Sequence, residues 1–257
     1  ANTLELFERF AYYASKAVLA VYLAEHLGLG PTTATLYAGS IFNTLIYLLP
    51  ALAGTVVDRY GFRRSLMLCF SIFSVGYLIV GLAGLPVAQS LVAVVGVKAW
   101  TLTGLIIAAV GGSLIKPSIV GTCARTTTEE SKALGYSIYY SIVNVGGLLG
   151  PMLAVPIREN LGIAYVLVVA PTVSALLCVA TFLFFREPPR PADLPPTKTM
   201  VEVLAGMLRA VRDVRFMVFL VIFSGFWLMF WHIFYALPFY VKDVLHYPRF
   251  EWVEMVG

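Results

Sequence analysis

Glu5-Leu6-Phe7-Glu8-Arg9-Phe10-Ala11-Tyr12-Tyr13-Ala14-Ser15-Lys16 sets charges at the start of a run that becomes almost wholly apolar through Leu23. Coiled into a helix, Glu5, Glu8, Arg9, Tyr12 and Lys16 share one face, because they stand three, four or seven apart. Phe7, Phe10, Ala11, Ala14 and Val18 fall mostly on other faces. A Glu, Arg or Lys facing lipid at mid-bilayer costs about 2.5–3.5 kcal/mol. Charges in a spanning helix therefore survive by pairing with one another or by lining a wet cavity. The alternative is a polar helix start at headgroup level. Lys16, almost two turns deeper than Arg9, argues against it.

Composition makes the spanning reading the relevant one. Soluble domains carry about 25% charged residues. This chain has 12%, with 60% hydrophobic residues and a mean hydropathy of +0.85. That excludes an ordinary soluble domain and places the chain in a lipid bilayer. A net charge of +4 would point to an anionic partner in a soluble protein. Here it is assigned to Lys and Arg in cytoplasmic loops, and no nucleic acid is expected. Cys69, Cys123 and Cys178 are odd in number and lack metal-ligand spacing, so they read as packing residues. There is no zinc spacing, no Gly-x-Ser-x-Gly and no phosphate loop. His26, His232 and His246 have no adjacent nucleophile. Neither an enzyme nor a bound cofactor or metal is expected.

Apolar runs of about 20 residues can cross a bilayer. They fall at 5–26, 35–57, 65–84, 91–120, 133–157, 163–185 and 216–241. Gly and Pro within them (Pro50, Gly54, Gly111, Gly112, Pro117, Gly146, Gly147, Pro151) suit close helix packing and kinks. Arg59, Arg63, Arg64, Arg125, Lys132, Arg186, Arg190, Lys198, Arg209, Arg212 and Arg215 fall on one side of this arrangement. Arg158, Lys242 and Arg249 fall on the other. The first side, with the N-terminus, is therefore expected to be cytoplasmic. Pro188, Pro189, Pro191, Pro195 and Pro196 stiffen a solvated linker, and Thr199 to Arg212 reads as a short surface helix. The expected organisation is a six-helix transmembrane bundle over 1–185, a cytoplasmic linker over 186–215, and a seventh span with its following loop over 216–257. The chain begins without Met and stops where an eighth helix should start. The expectation is a piece of a longer chain, with a leader lost and a second bundle cut short.

Several motifs carry chemistry. Gly54-Thr-Val-Val-Asp58-Arg59-Tyr-Gly61-Phe-Arg63-Arg64 joins the second and third runs. Gly54 permits tight packing, Gly61 a sharp turn, and Asp58 can meet helix ends or arginines. A plain basic loop is the alternative. Gly111-Gly112-Ser113-Leu-Ile-Lys116-Pro117 puts a lysine in an apolar run, where it needs a carboxylate or water unless it snorkels. Tyr136-Ser-Ile-Tyr139-Tyr140-Ser-Ile-Val-Asn144-Val-Gly146-Gly147 sets Tyr140 and Asn144 one turn apart. The Asn144 amide can hydrogen-bond a polar group in a cavity or simply join helices. Tyr47 precedes Pro50, and Phe226-Trp227-Leu-Met-Phe230-Trp231-His232 is dense in aromatics.

Taken together these stretches resemble the proton-dependent oligopeptide transporters of the major facilitator superfamily. Glu-x-x-Glu-Arg-Phe-x-Tyr-Tyr on the first helix is similar to that family's opening motif. Gly54 to Arg64 matches the superfamily loop pattern Gly-x-x-x-Asp-Arg-x-Gly-Arg-Arg. The fourth run resembles Gly-Gly-x-x-x-Lys-Pro, and the fifth resembles Phe-Tyr-x-x-Ile-Asn-x-Gly. The resemblance implies an all-α transmembrane facilitator fold and proton-coupled uptake of di- or tripeptides by alternating access. It implies a proton as the coupling ion, a small peptide and the lipid bilayer as partners, a monomer, and a home in the cell membrane. It assigns Glu5, Glu8, Arg9 and Lys116 to proton coupling. Tyr12, Tyr13, Lys16, Tyr47, Tyr140, Asn144, Trp227, Trp231 and His232 are assigned to the solute pocket. Gly54, Asp58, Arg59, Gly61, Arg63 and Arg64 are assigned to a gating loop. The seventh run departs from the pattern: the expected acid is absent, with Trp231 or His232 in that region, and Lys16 stands where the family has Arg. A proton-coupled exporter of drug-like or cationic solutes is the alternative, and a solute-binding membrane receptor is the alternative from another class.

Overall fold

The computed structural model describes residues 2–190 and 198–243, and of 230–243 the backbone alone. Regular structure among the described residues is helical throughout. α1 (Asn2–Val21) runs on into a wider π-helical turn at Tyr22–His26. α2 (Pro31–Leu48) and α3 (Pro50–Tyr60) make one span bent by 41°. Pro50 has no N–H to continue the ladder, which accounts for the bend. α4 (Phe62–Leu82), α5 (Pro86–Val95), α6 (Val97–Thr126), α7 (Lys132–Leu161) and α8 (Ile163–Phe184) follow. α9 (Met200–Arg212) and α10 (Val214–Asp243) complete the described chain.

The apolar run 91–120 is not one helix. Gly96 takes φ +86°, a backbone state that residues with a Cβ rarely adopt, and it ends α5. The span proper starts at Val97 and continues past the expected end to Thr126. It loosens at Leu114, where Pro117 cannot donate to the Ser113 carbonyl.

α4, α6, α7 and α8 have the length and apolarity of membrane spans, and the bent α2–α3 pair makes a fifth. α1 has the length, but Glu5, Glu8, Arg9 and Lys16 make it too charged to sit in lipid alone. It is accommodated by packing against α7 and α8.

Apolar side chains gain little by leaving lipid for one another, so close backbone approach holds such bundles together. Small residues supply it. Gly76 and Gly104 bring α4 onto α6: a methyl at Gly104 would lie 2.8 Å from Val80 and 3.0 Å from the Gly76 carbonyl. Gly146 and Gly150 bring α7 onto α1: a methyl at Gly150 would lie 2.7 Å from the Phe10 carbonyl. Two buried apolar clusters fill the bundle, one around Tyr22, Phe42, Phe73, Tyr77 and Leu105, the other around Phe62, Leu66, Phe70, Ile115 and Tyr139. The Trp100 indole donates to the Ile79 carbonyl (2.7 Å), and the Tyr22 hydroxyl to that of Val80 (2.9 Å).

These helices, through α8, form one compact unit; α9 and α10 belong to a second. α9 starts on a reciprocal cap: Thr199 Oγ1 accepts from the Glu202 N–H (3.3 Å), and the Glu202 carboxylate accepts from the Thr199 N–H (2.7 Å). Asp213 then caps α10 by accepting from the N–H groups of Arg215 and Phe216. Pro191, Pro195, Pro196 and Arg249 lie outside the described residues.

Candidate functional site

The α1 face expected from spacing is buried at Glu5, Glu8, Arg9 and Tyr12 and exposed at Lys16. Glu5 is 1% exposed, Glu8 0% and Arg9 8%. The Arg9 Nε lies 3.3 Å from Glu5 Oε1 and also donates to Glu8 Oε2. One guanidinium thus serves two carboxylates. Glu5 Oε2 and Glu8 Oε1 are buried without a hydrogen-bond partner among the described residues. With both acids ionised the trio carries one excess negative charge. Burying that charge costs several kcal/mol or more, and a proton on either acid removes it. This arrangement can hold and release a proton.

The aromatic and cationic residues on either side form two stacks. Tyr12 is buried, with the Arg9 guanidinium 4.9 Å and the Lys16 ammonium 5.7 Å from its ring centre. Tyr13 meets Tyr12 edge-on at 5.3 Å and leans on Gly147. Lys116 comes from α6, exposed, with its ammonium 5.2 Å from the ring centre of Tyr47 on α2. Its charge acts through space on Glu5 and Glu8. Among the described residues, however, it makes no ion pair with either carboxylate. Of the two cations assigned with the acids, Arg9 is the one paired to both carboxylates here. Lys16, Tyr47, Tyr140 and Asn144 are exposed side chains on the first unit.

α7 meets the acids through Tyr139, a residue with no role assigned from the sequence, while Tyr140, assigned to the solute pocket, is exposed. Tyr140 is 62% exposed, whereas Tyr139 is 3% exposed and donates its hydroxyl to Glu5 Oε1 (3.4 Å). The reason is register. Tyr139, Gly146, Gly150 and Ala154 form the buried stripe of α7, and the two glycines rest on α1. Tyr139 lies one heptad before Gly146, so it shares that face. The spacing of the two glycines was the available signal.

Trp227 on α10 has its ring edge-on to Phe223 (6.1 Å) and Phe226 (5.7 Å). Trp231 and His232 continue the α10 backbone, and their side chains lie outside the described residues.

The loop between α3 and α4 is a single residue, Gly61, at φ +83°. α4 therefore starts abruptly, with N–H groups unsatisfied by its own ladder. The acid that meets them is Glu187, beyond α8: its oxygens accept from Phe62 N–H (2.8 Å) and Arg63 N–H (2.6 Å). Asp58, assigned to helix ends or arginines from the sequence, is exposed and has no ion pair among the described residues. The Arg63 guanidinium donates to the Phe182 carbonyl and lies 5.5 Å from that residue's ring centre. Arg125 stacks on Phe62 at 4.3 Å. Gly54 is half-buried, and Arg59 and Arg64 are exposed. No local pattern marks Glu187, because its partners are over 120 residues away.

Comparison with known proteins gives a consistent result. The sequence pattern of the Major Facilitator Superfamily matches residues 4–257. Dipeptide and tripeptide permease A of Pectobacterium carotovorum subsp. carotovorum (strain PC1) is 30% identical over 192 residues, 72% of this chain and 35% of the permease. The permease A of Chromobacterium violaceum is 30% identical over 219 residues, 81% of this chain and 41% of the relative. The chain thus spans about a third to two fifths of the length of these relatives. A crystal structure of a POT family transporter in complex with a thioalcohol-conjugated peptide superposes with a TM-score of 0.61. It is 24% identical, with 96% of this chain and 52% of that one covered, and shows the shared fold.

Proposed function

The chain belongs to the major facilitator superfamily, and from that premise we propose that the protein it builds imports di- or tripeptides by proton-coupled alternating access. Its similarity to dipeptide and tripeptide permeases supports the solute class. The observation that carries the coupling is the buried Glu5–Arg9–Glu8 trio with its two unpartnered carboxylate oxygens. A proton taken up by Glu8 or Glu5 neutralises the excess charge and frees Arg9 to pair with the other acid alone. Loss of that proton restores the demand for a second cation, and Lys116, already within electrostatic reach, is the side chain to answer it. The two charge states thus favour different positions of α6 relative to α1, and a proton gradient biases the exchange between them.

Lys16, whose ammonium lies 5.7 Å from the Tyr12 ring centre, is the residue proposed to receive the peptide carboxylate as a point charge, with Tyr12, Tyr13, Tyr47, Tyr140 and Asn144 as the proposed pocket residues of the same unit. On α10, Trp227, Trp231 and His232 are the candidate solute residues of the second unit, with Trp231 or His232 in the region where the family pattern has an acid. Gly61, Arg63 and their neighbours hold the loop end shut through Glu187 and Phe182. The Lys and Arg excess at that end makes it cytoplasmic. The test is uptake of a labelled dipeptide into proteoliposomes of the full-length protein under an inward proton gradient. Accumulation that collapses with a protonophore is expected. Folded protein that binds no dipeptide and takes none up contradicts the reading.

A further inference from the structure

The hydroxyl of Tyr139 is the one polar group from α7 recorded on the Glu5 carboxylate. A phenyl ring fills the same space, so packing does not call for the oxygen. The oxygen is nevertheless buried, and a buried hydroxyl costs stability unless it is bonded. Its bond runs to Glu5 Oε1, the same atom Arg9 approaches at 3.3 Å, while Glu5 Oε2 is left without a partner. The carboxylate is therefore held by one oxygen from two helices, with the other oxygen bare.

We propose that Tyr139 is a positioning residue for Glu5: its hydroxyl fixes Oε1 across the α1–α7 interface, leaves Oε2 to take the proton, and sets how tightly that proton is held. This deepens the proton-coupling reading and rests on it. The groups facing Glu5 are Glu8 and Arg9 on its own helix, Tyr139 on α7, Lys116 on α6 and the buried Cys69 thiol on α4. Of these, Tyr139 alone is recorded donating a hydrogen bond to Glu5 from another helix. A hydrogen bond given to an ionised carboxylate is stronger than one given to the neutral acid. Tyr139 therefore favours release of the proton from Glu5. The small-residue seam built by Gly146 and Gly150 keeps the two helices close enough for the bond to form.

The test uses the full-length protein in lipid, as wild type, Tyr139→Phe and Glu5→Gln. The carboxyl infrared band of protonated Glu5 is identified by its loss in Glu5→Gln and then titrated. In Tyr139→Phe the midpoint is expected to move up by about half to one pH unit, and the pH profile of driven uptake to move with it, at unchanged KM for dipeptide. An unchanged midpoint overturns the proposal. So does a raised KM at an unchanged midpoint, which would make Tyr139 a pocket residue, and so does the lack of any titrating Glu5 band. If wild type and variant bind no dipeptide and take none up, the transport reading fails, and the infrared midpoint still decides the role of Tyr139.

Discussion

Glu187 accepts two backbone hydrogen bonds at the start of α4, and its replacement by alanine leaves those N–H groups to water. Caps of this kind are worth about 1 kcal/mol, so Glu187→Ala is expected to lower the melting temperature of the detergent-solubilised protein by a few degrees. An unchanged transition would make the contact incidental. The residue scale also shows where reading a sequence stops. Glu5, Glu8 and Arg9 were legible as one buried face because three- and four-residue spacing fixes a helical face regardless of context. Lys116 was legible as needing a partner, but which partner it takes depends on distances between helices. Asp58 was a reasonable choice of helix cap and Glu187 the actual one, since nothing local links residue 187 to residue 62.

At the scale of elements, glycines carried more than composition disclosed. Gly146 and Gly150 seat α7 on α1 with backbone atoms as the obstacle, so a larger side chain cannot be relieved by a rotamer change. Gly150→Leu is expected to separate the two helices and cost about 1–3 kcal/mol or more. Thermal unfolding measures it, and a wild-type midpoint would refute the close seam. The same stripe was the cue for Tyr139 over Tyr140. The break at Gly96 was hidden because residues on both sides are equally apolar, and apolarity alone does not reveal where a helix turns. α9 was legible as a short surface helix over Thr199 to Arg212, and the structure adds the reciprocal cap of Thr199 and Glu202 that starts it. The Thr199 N–H and hydroxyl hold the Glu202 carboxyl below its ordinary value of 4.5. A carboxyl shifted down contributes stability above its unfolded value and loses it as pH falls through the folded one. Amides at the start of α9 are therefore expected to be better protected from hydrogen exchange in wild type than in Glu202→Gln at neutral pH. The two should converge below pH 4.5. Equal protection at neutral pH would dismiss the contribution of the carboxylate charge to the cap.

For the whole molecule, a helical membrane fold was legible from long apolar runs and basic loops at one end, because a bilayer restricts what can cross it, and the facilitator family was legible only through the resemblance of its motifs. What the runs could not supply was the pairing pattern inside the bundle, in which Arg9 bridges two acids while Lys116 stands aside on Tyr47. The proposed coupling depends on that pattern: with two buried acids sharing one guanidinium, a proton on either acid relieves the excess charge. Glu8→Gln, reconstituted in full-length protein, measures it most directly by comparing proton-driven accumulation of dipeptide with counterflow exchange in the absence of a gradient. Accumulation is expected to vanish while counterflow persists. Accumulation at the wild-type level would contradict the account.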